Sequence, residues 1–255
     1  MKLFALFAIF TIFLILNSLL SAQELTGPQI ISRVDDLLNP ESSRALSKMT
    51  IQTTSGNQRT FVYESWSKNR GEKNLIRYKE PSRVKDQATL MLNHADDIWM
   101  YFPRTRRVRK LATHAKKQKM EGSDFSYEDM GSGDSFIKDY TSKRLDDQTL
   151  DKMDCYQVEM KANIEADVSY SRLLMFIIKE NFVPVRIEYY DDKNPERLLK
   201  TLVQSDIREI QGIPTAMKMT MINEIDKSET DMELLEIQYN LDIKDDLFTE
   251  RGLKK

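Results

Sequence analysis

Cysteine is almost missing from this chain: Cys155 is the single one in 255 residues. No internal disulfide can form. A protein of this length does not need one, because its apolar core can suffice. Cys155 lies in an apolar-alternating run and reads as a small buried residue, with an intermolecular disulfide as the alternative. Histidine is scarce too, with only His94 and His114, each beside turn or basic sequence. The run His94–Asp97 puts four adjacent residues on one turn, where they cannot all aim at one ion. No metal site and no cofactor are expected. The chain has no phosphate-binding glycine loop, dinucleotide fingerprint, paired zinc-ligand motif or Gly-x-Ser-x-Gly elbow. Ser123-Asp124 and Ser132-Gly133-Asp134 leave a hydrolase nucleophile conceivable, but no base stands near them, and no catalytic residue is expected. Positive charge is not in excess. The formal net charge is −2, one unit more negative if Lys2 is removed, which argues against a general nucleic-acid binder. Internal repeats, low-complexity tracts, interdomain linkers and βαβ alternation are all lacking, which disfavours a doubly wound α/β fold and leaves one domain.

The N-terminus has what the rest lacks, a long apolar run. Met1-Lys2 is a minimal positive start, Leu3–Leu16 is almost unbroken apolar sequence, and small or polar residues lead to Ala22. This is the order of a secretory signal peptide, so residues 1–22 are expected to be cleaved and residues 23–255 to form the mature domain. An uncleaved anchor is the rival, because the run to Leu20 is near the ~18–20 residues a span needs. No cysteine follows the apolar core, so a bacterial-type lipid anchor is not expected.

Helical signals are few. Thr26-Gly27-Pro28 can open a helix with proline in its first turn. Ile30, Ile31, Val34, Leu37 and Leu38 then share a face, and Asn39-Pro40 closes it. A short helix near Asp245–Arg251 and a helical turn in Phe125–Met130 are also expected. Nearly everything else reads as strand: Arg44–Thr54 and Gln58–Lys68 around the Ser55-Gly56-Asn57 turn, then Asn74–Lys79, Ala88–Leu92 and Ile98–Phe102. Strands resume at Cys155–Lys161, Arg172–Lys179, Val185–Tyr190, Leu198–Ser205, Thr215–Ile222 and Glu233–Tyr239. Regular strands joined by tight turns argue an antiparallel all-β architecture. Many are wet on one side, as where Thr215, Met217, Met219 and Met221 alternate with Ala216, Lys218 and Thr220. The fold class expected is mainly β: one strongly curved antiparallel sheet, an incomplete β-barrel, with a few covering helices. With so little helix to cover it, the apolar concave face is expected to enclose a cavity partly plugged by the N-terminal helix.

The chain holds 13 methionines, whose flexible thioethers repack around variable apolar shapes. The candidate ligand-lining set is Ile30, Val34, Leu37, Trp66, Met91, Trp99, Tyr101, Met160, Met175, Met217 and Met219. Ordinary core packing remains open for each. Between Arg104 and Lys119 stand eight Lys or Arg residues and no Asp or Glu. Glu121, Asp124, Glu128, Asp129 and Asp134 then reverse the sign. Arg104, Arg106, Arg107, Arg109 and Lys110 form a candidate patch. It reads as a solvated hairpin face, a dock for an acidic partner, or a contact with anionic lipid headgroups. The acidic block can fold back on part of the run.

The same stretch carries a resemblance. Trp99, Tyr101, Pro103, Arg106, Arg107 and Arg109 lead into Gly122-Ser123-Asp124-Phe125-Ser126-Tyr127-Glu128-Asp129. Pro184–Asp191 and Leu247–Leu253 continue the match, which spans Ser47 to Leu253. This pattern resembles the LolA-like group of outer-membrane lipoprotein-sorting proteins. The resemblance implies a LolA/LolB-like barrel closed by helices, and a periplasmic carrier without a cofactor. Its partners would be lipoproteins or other acylated lipids, together with an inner-membrane transporter of the exporter type, and no nucleic acid. A monomer is expected, with the Pro28–Leu38 helix as a lid. The alternatives are a non-shuttling lipid-binding accessory subunit of an export complex and an envelope hydrolase.

Overall fold

The computed structural model describes residues 24–133 and 135–255; the signal segment expected at 1–22 lies outside the described residues. No described helix is long and apolar enough to cross a membrane.

Helix α1 spans Gly27–Leu38. Thr26 caps it: the Thr26 hydroxyl accepts from the Gln29 amide, and the Gln29 side chain accepts from the Thr26 N–H at 2.9 Å. Two otherwise orphaned donors are thus satisfied. Its buried face is Ile30, Ile31, Val34 and Asp35. Gly27 is required by a close approach, since a Cβ there would sit 2.8 Å from the backbone nitrogen of Arg144.

A first meander follows: β1 (Ser42–Gln52), β2 (Gln58–Lys68), β3 (Lys73–Glu80), β4 (Ala88–Leu92), β5 (Asp97–Phe102) and β6 (Arg107–Lys110). A strap of loop and short helix comes next, with α2 at Tyr127–Gly131 and α3 at Ser135–Asp139. The second meander is β7 (Tyr140–Arg144), β8 (Gln148–Leu150), β9 (Met153–Ala162), β10 (Tyr170–Ile178), β11 (Pro184–Asp191), β12 (Leu198–Ile210), β13 (Ile213–Asn223) and β14 (Ser228–Tyr239). The order is β6-β5-β4-β3-β2-β1-β14-β13-β12-β11-β10-β9-β7, with β8 also on β9. Antiparallel pairing of β1 with β14, from Ser43↔Tyr239 to Gln52↔Glu229, joins the two meanders. β6 and β7 are the ends of the path, so the sheet is antiparallel and not closed into a barrel.

Strand alternation sorts side chains between two faces. Phe61, Tyr63, Ile76, Tyr78, Met91, Met160, Met175 and Met221 point inward and pack with α1 and the strap in the main core. On the outer face, Leu75, Ala88 and Leu90 form a second cluster with Ile243, Phe248 and Leu253 of the C-terminal segment. Lys68 Nζ and Arg77 Nη2 donate to the carbonyls of Ile243 (2.8 Å) and Gly252 (3.0 Å), fixing that segment. Cys155, Ile178 and Val185 make a third, smaller cluster.

Three expectations are corrected. The region near Asp245–Arg251 is not one helix but two 3₁₀ turns, Asp245–Leu247 and Gly252–Lys254. The apolar stripe of α1 stops short of its end: Leu38 is 41% exposed, and Leu37 borders an open groove with Arg33 and Phe182. Finally, β6, β7 and β8 form where no strand was expected.

Candidate functional site

The acidic block builds the strap. Gly122, at φ +74°, turns the chain into it. Ser123 is fully buried, and its hydroxyl exchanges hydrogen bonds with the Phe125 backbone at 3.2 Å. Asp124 is 1% exposed. It accepts from Ser228 Oγ (2.7 Å), Thr230 Oγ1 (2.9 Å), Asn223 Nδ2 (3.3 Å) and Lys119 Nζ (3.4 Å). Its own N–H donates to Thr230 Oγ1 at 2.9 Å. One carboxylate thus pins the strap to the β13–β14 hairpin. Ser126 and Asp129 cap α2 reciprocally: the Ser126 hydroxyl accepts from the Asp129 N–H (3.0 Å), and the Asp129 carboxylate from the Ser126 N–H (2.7 Å). Gly131 lies flat on the sheet, because a Cβ there would meet Ala95 at 2.8 Å and Met91 Sδ at 2.9 Å.

The helix α2 then delivers two carboxylates to the second meander. Glu128 accepts from the Ser169 N–H at 3.0 Å and from the Ser169 hydroxyl. Burial pushes its pKa above the usual range, against the lowering effect of those bonds. Asp129 accepts from Tyr170 OH at 2.8 Å and Lys200 Nζ at 2.9 Å, and Lys200 Nζ also reaches Tyr170 OH at 2.9 Å. Burial first, and the Asp129 charge second, hold the Tyr170 hydroxyl neutral by raising its pKa well above normal. Tyr140 OH donates to the Tyr170 carbonyl at 3.0 Å.

Beneath this strap lies a cavity of about 380 Å³. Leu173, Met175, Ile187, Tyr189, Leu202 and Met219, from the inner faces of β10–β13, form its apolar wall. Ser43, Ser67, Asn74 and Gln204 give it a polar end, and Leu38–Pro40 and Gly133 close its mouth. A Cβ on Gly133 would meet the Arg70 carbonyl at 2.7 Å, so strap and β2–β3 turn touch backbone to backbone there.

The candidate residues fall in five places. Met175 and Met219 line the cavity. Ile30, Val34, Met91 and Met160 are buried in the main core and fill it. Met217 is also buried, on the inward face of β13, two residues from Met219 but outside the lining. Trp66, Trp99 and Tyr101 are on the outer face against the C-terminal segment, and Leu37 is at the groove outside. These last four are corrections. The aromatic alternation in β2 and β5 was legible, but which face turned inward was not. Leu173, Ile187 and Leu202 were missed. The one signal for them is that each shares its strand's inward face with a buried partner two residues away.

Arg104, Arg106, Arg107, Arg109 and Lys110 are exposed on the β5–β6 hairpin. Lys110 pairs with Asp97 at 2.5 Å and lies over Trp99 at 4.9 Å. The four arginines form no ion pair with any described residue. The fold-back expected of the acidic block is partial: it reaches Lys119 through Asp124, while Lys116 and Lys117 are met by Asp96 and Asp167 instead. Ser123 and Asp124 are spent on holding the strap and do not face each other as nucleophile and base; Asp134 lies outside the described residues.

An antiparallel sheet left open, a helix on its inner face and a chamber under a strap define a LolA-like architecture. A family model described only as "Uncharacterized protein" matches residues 70–255; the chain belongs to that family, and its fold is that of the LolA-like lipoprotein-sorting group. It is similar to a candidate outer membrane lipoprotein-sorting protein domain from Vibrio parahaemolyticus. That match has 24% identity and a TM-score of 0.81, over 90% of this chain and 98% of that one. A DUF1329 family protein from Desulfovibrio piger gives 26% identity and a TM-score of 0.81 over 89% and 97%. A LolA superfamily protein from Nitrosomonas europaea gives 21% and 0.74 over 89% and 98%. No curated protein matches the chain.

Proposed function

We propose that this protein is a periplasmic carrier that takes acyl chains of lipoproteins or other lipids into the cavity under the strap and delivers them toward the outer membrane. Residues 1–22 serve as a removed secretion signal, and 23–255 work as one monomeric domain. The observation that carries the reading is the chamber itself, of about 380 Å³ with a wall of Leu173, Met175, Ile187, Leu202 and Met219. Its volume lies within the ~300–1,000 Å³ range of small-ligand sites. Burying an acyl chain gains ~0.8 kcal/mol per CH₂, so a free chain does not cross water unaided and a shuttle has something to do. No covalent step is needed: the chain leaves one apolar site and enters another.

Protein isolated from its native cell envelope without detergent is expected to run free of the membrane fraction and to hold acyl-containing molecules, identified by mass spectrometry after denaturation. An empty protein that instead turns over a lipid ester would replace the carrier with an envelope hydrolase. The exposed arginines of the β5–β6 hairpin favour a second reading, in which the same chamber serves an accessory subunit docked on an inner-membrane exporter. A protein that stays with the membrane fraction throughout purification would support that reading over a free shuttle.

A further inference from the structure

The wall of the chamber is not wholly apolar. Ser43, Ser67 and Asn74 border it. They are register partners, Ser43 opposite Ser67 and Ser67 opposite Asn74. Directly paired residues share a face of the sheet, so the three form a polar row across β1, β2 and β3. On β12, Gln204 follows Leu202 on the inward face and pairs with Met219, and all three line the same space.

Gln204 is the sharper observation. It is 8% exposed, yet its side-chain amide makes no hydrogen bond with any described residue. The Ser43 and Ser67 hydroxyls make none either. Asn74 gives an N–H to the Gly71 carbonyl at 2.6 Å, which leaves its own side-chain oxygen. An amide carries two donors and an acceptor, and a hydroxyl carries both. A buried amide without a partner costs the fold free energy, so it points to a partner that arrives with the ligand. Apolar ligand sites commonly orient their guest through a few such groups.

Charge narrows that partner. Among the described residues no Lys, Arg or His lines the chamber. Its two carboxylates are engaged, Glu128 by Ser169 and Asp129 by Tyr170 and Lys200. Lys200 in turn gives its ammonium to Asp129 and to Tyr170, each at 2.9 Å. A carboxylate or phosphate brought into this space would lose its water with no cation to receive it. A carbonyl would lose only a hydrogen bond that Gln204 can return.

We propose that Gln204, with the Ser43–Ser67–Asn74 row, is a recognition subsite for an uncharged acyl carbonyl, so that the chamber takes acyl chains as esters or amides in preference to free fatty acids. This rests on the carrier reading and narrows its cargo by the group at the head of the chain.

Displacement of the neutral probe N-phenylnaphthylamine from the mature protein tests it, at about pH 8, where a carboxyl group is ionised. Four ligands of equal chain length are compared: monolauroylglycerol, N-lauroyl-alaninamide, laurate and dodecane. The ester and the amide are each expected to bind at least about tenfold more tightly than laurate. The tighter of the two names the source, a free glyceride for the ester and a lipid-modified protein for the amide. Gln204→Met keeps the length of the side chain and removes its polar atoms. It is expected to weaken the ester and the amide about fivefold and to leave dodecane bound as before or more tightly. Ser67→Ala is expected to give a smaller loss in the same direction, and the ligand comparison on the unaltered protein decides the head group even if a variant fails to fold. Laurate binding as tightly as the ester and the amide would overturn the preference while leaving the carrier intact. Unchanged ester and amide affinity in a folded Gln204→Met protein would overturn the role of Gln204. Binding of none of the four would remove the carrier reading itself.

Discussion

Asp124 accepts four side-chain hydrogen bonds while almost wholly buried. Removing one partner of such a set strands the others without water. Asp124→Ala should therefore cost about 3 kcal/mol, read as a lower urea midpoint with an unchanged slope; a loss under 1 kcal/mol would mean that the strap is held elsewhere. Glu128 makes a different prediction, through pH. Its folded pKa is raised by burial, so the folded state favours the protonated form. The stability it contributes is present below the usual glutamate range and is lost as pH rises from about 4.5 through the raised value. Glu128→Gln abolishes that dependence. The stability of the variant relative to the native chain should rise between pH 4 and pH 7, and parallel profiles would show that the carboxylate titrates normally.

At the scale of the element, α1 is the clearest case of a sequence announcing its own structure. Thr26, Pro28 and the spacing of Ile30, Ile31 and Val34 determine its start and its buried face, and Asn39 its end. Its seat is less open to reading. Gly27 looks like an N-terminal helix residue of ordinary kind, yet it is there because the backbone of β7 passes close by. Gly27→Ala improves intrinsic helix propensity by about 1 kcal/mol and should nevertheless destabilise the protein, lowering the thermal midpoint by several degrees. A raised midpoint would show that the helix can lift off the strand freely. Strands β2 and β4 were legible to the residue, because β-branched, aromatic and methionine side chains alternate between clear turn signals. Strands β6, β7 and β8 were not: Arg107–Lys110, Tyr140–Arg144 and Gln148–Leu150 are short and mostly polar, and edge or near-edge strands need little apolar surface. The period of two also fixes two faces without naming the inner one. Trp66, Trp99 and Tyr101 were assigned to the cavity for that reason, and the segment Leu241–Leu253 that covers them comes from the far end of the chain.

At the scale of the whole molecule, an apolar chamber lies under the strap and a concentrated positive surface lies on the edge hairpin of the sheet. The fold turns Asp124, Glu128 and Asp129 of the strap inward, to Lys119, Ser169, Tyr170 and Lys200, and leaves Arg104, Arg106, Arg107 and Arg109 facing water. Edge strands are commonly blunted by charge, so β6 alone would not demand a partner. Four arginines without a carboxylate among the described residues go beyond what blunting needs, and the net charge of the chain is negative, so the positive surface is local. A carrier must find the membrane or transporter that loads it, and opposite charge raises the rate of that encounter more than its final strength. Changing Arg106, Arg107 and Arg109 to Ala together should slow delivery of acyl cargo to acceptor membranes roughly tenfold or more at low salt, with the difference shrinking as salt screens it. The melting transition and the affinity for the cargo itself should stay near native, since none of the three touches the chamber. If delivery proceeds unchanged at low salt, the hairpin is only a solvated edge, and recognition belongs to another face of the sheet.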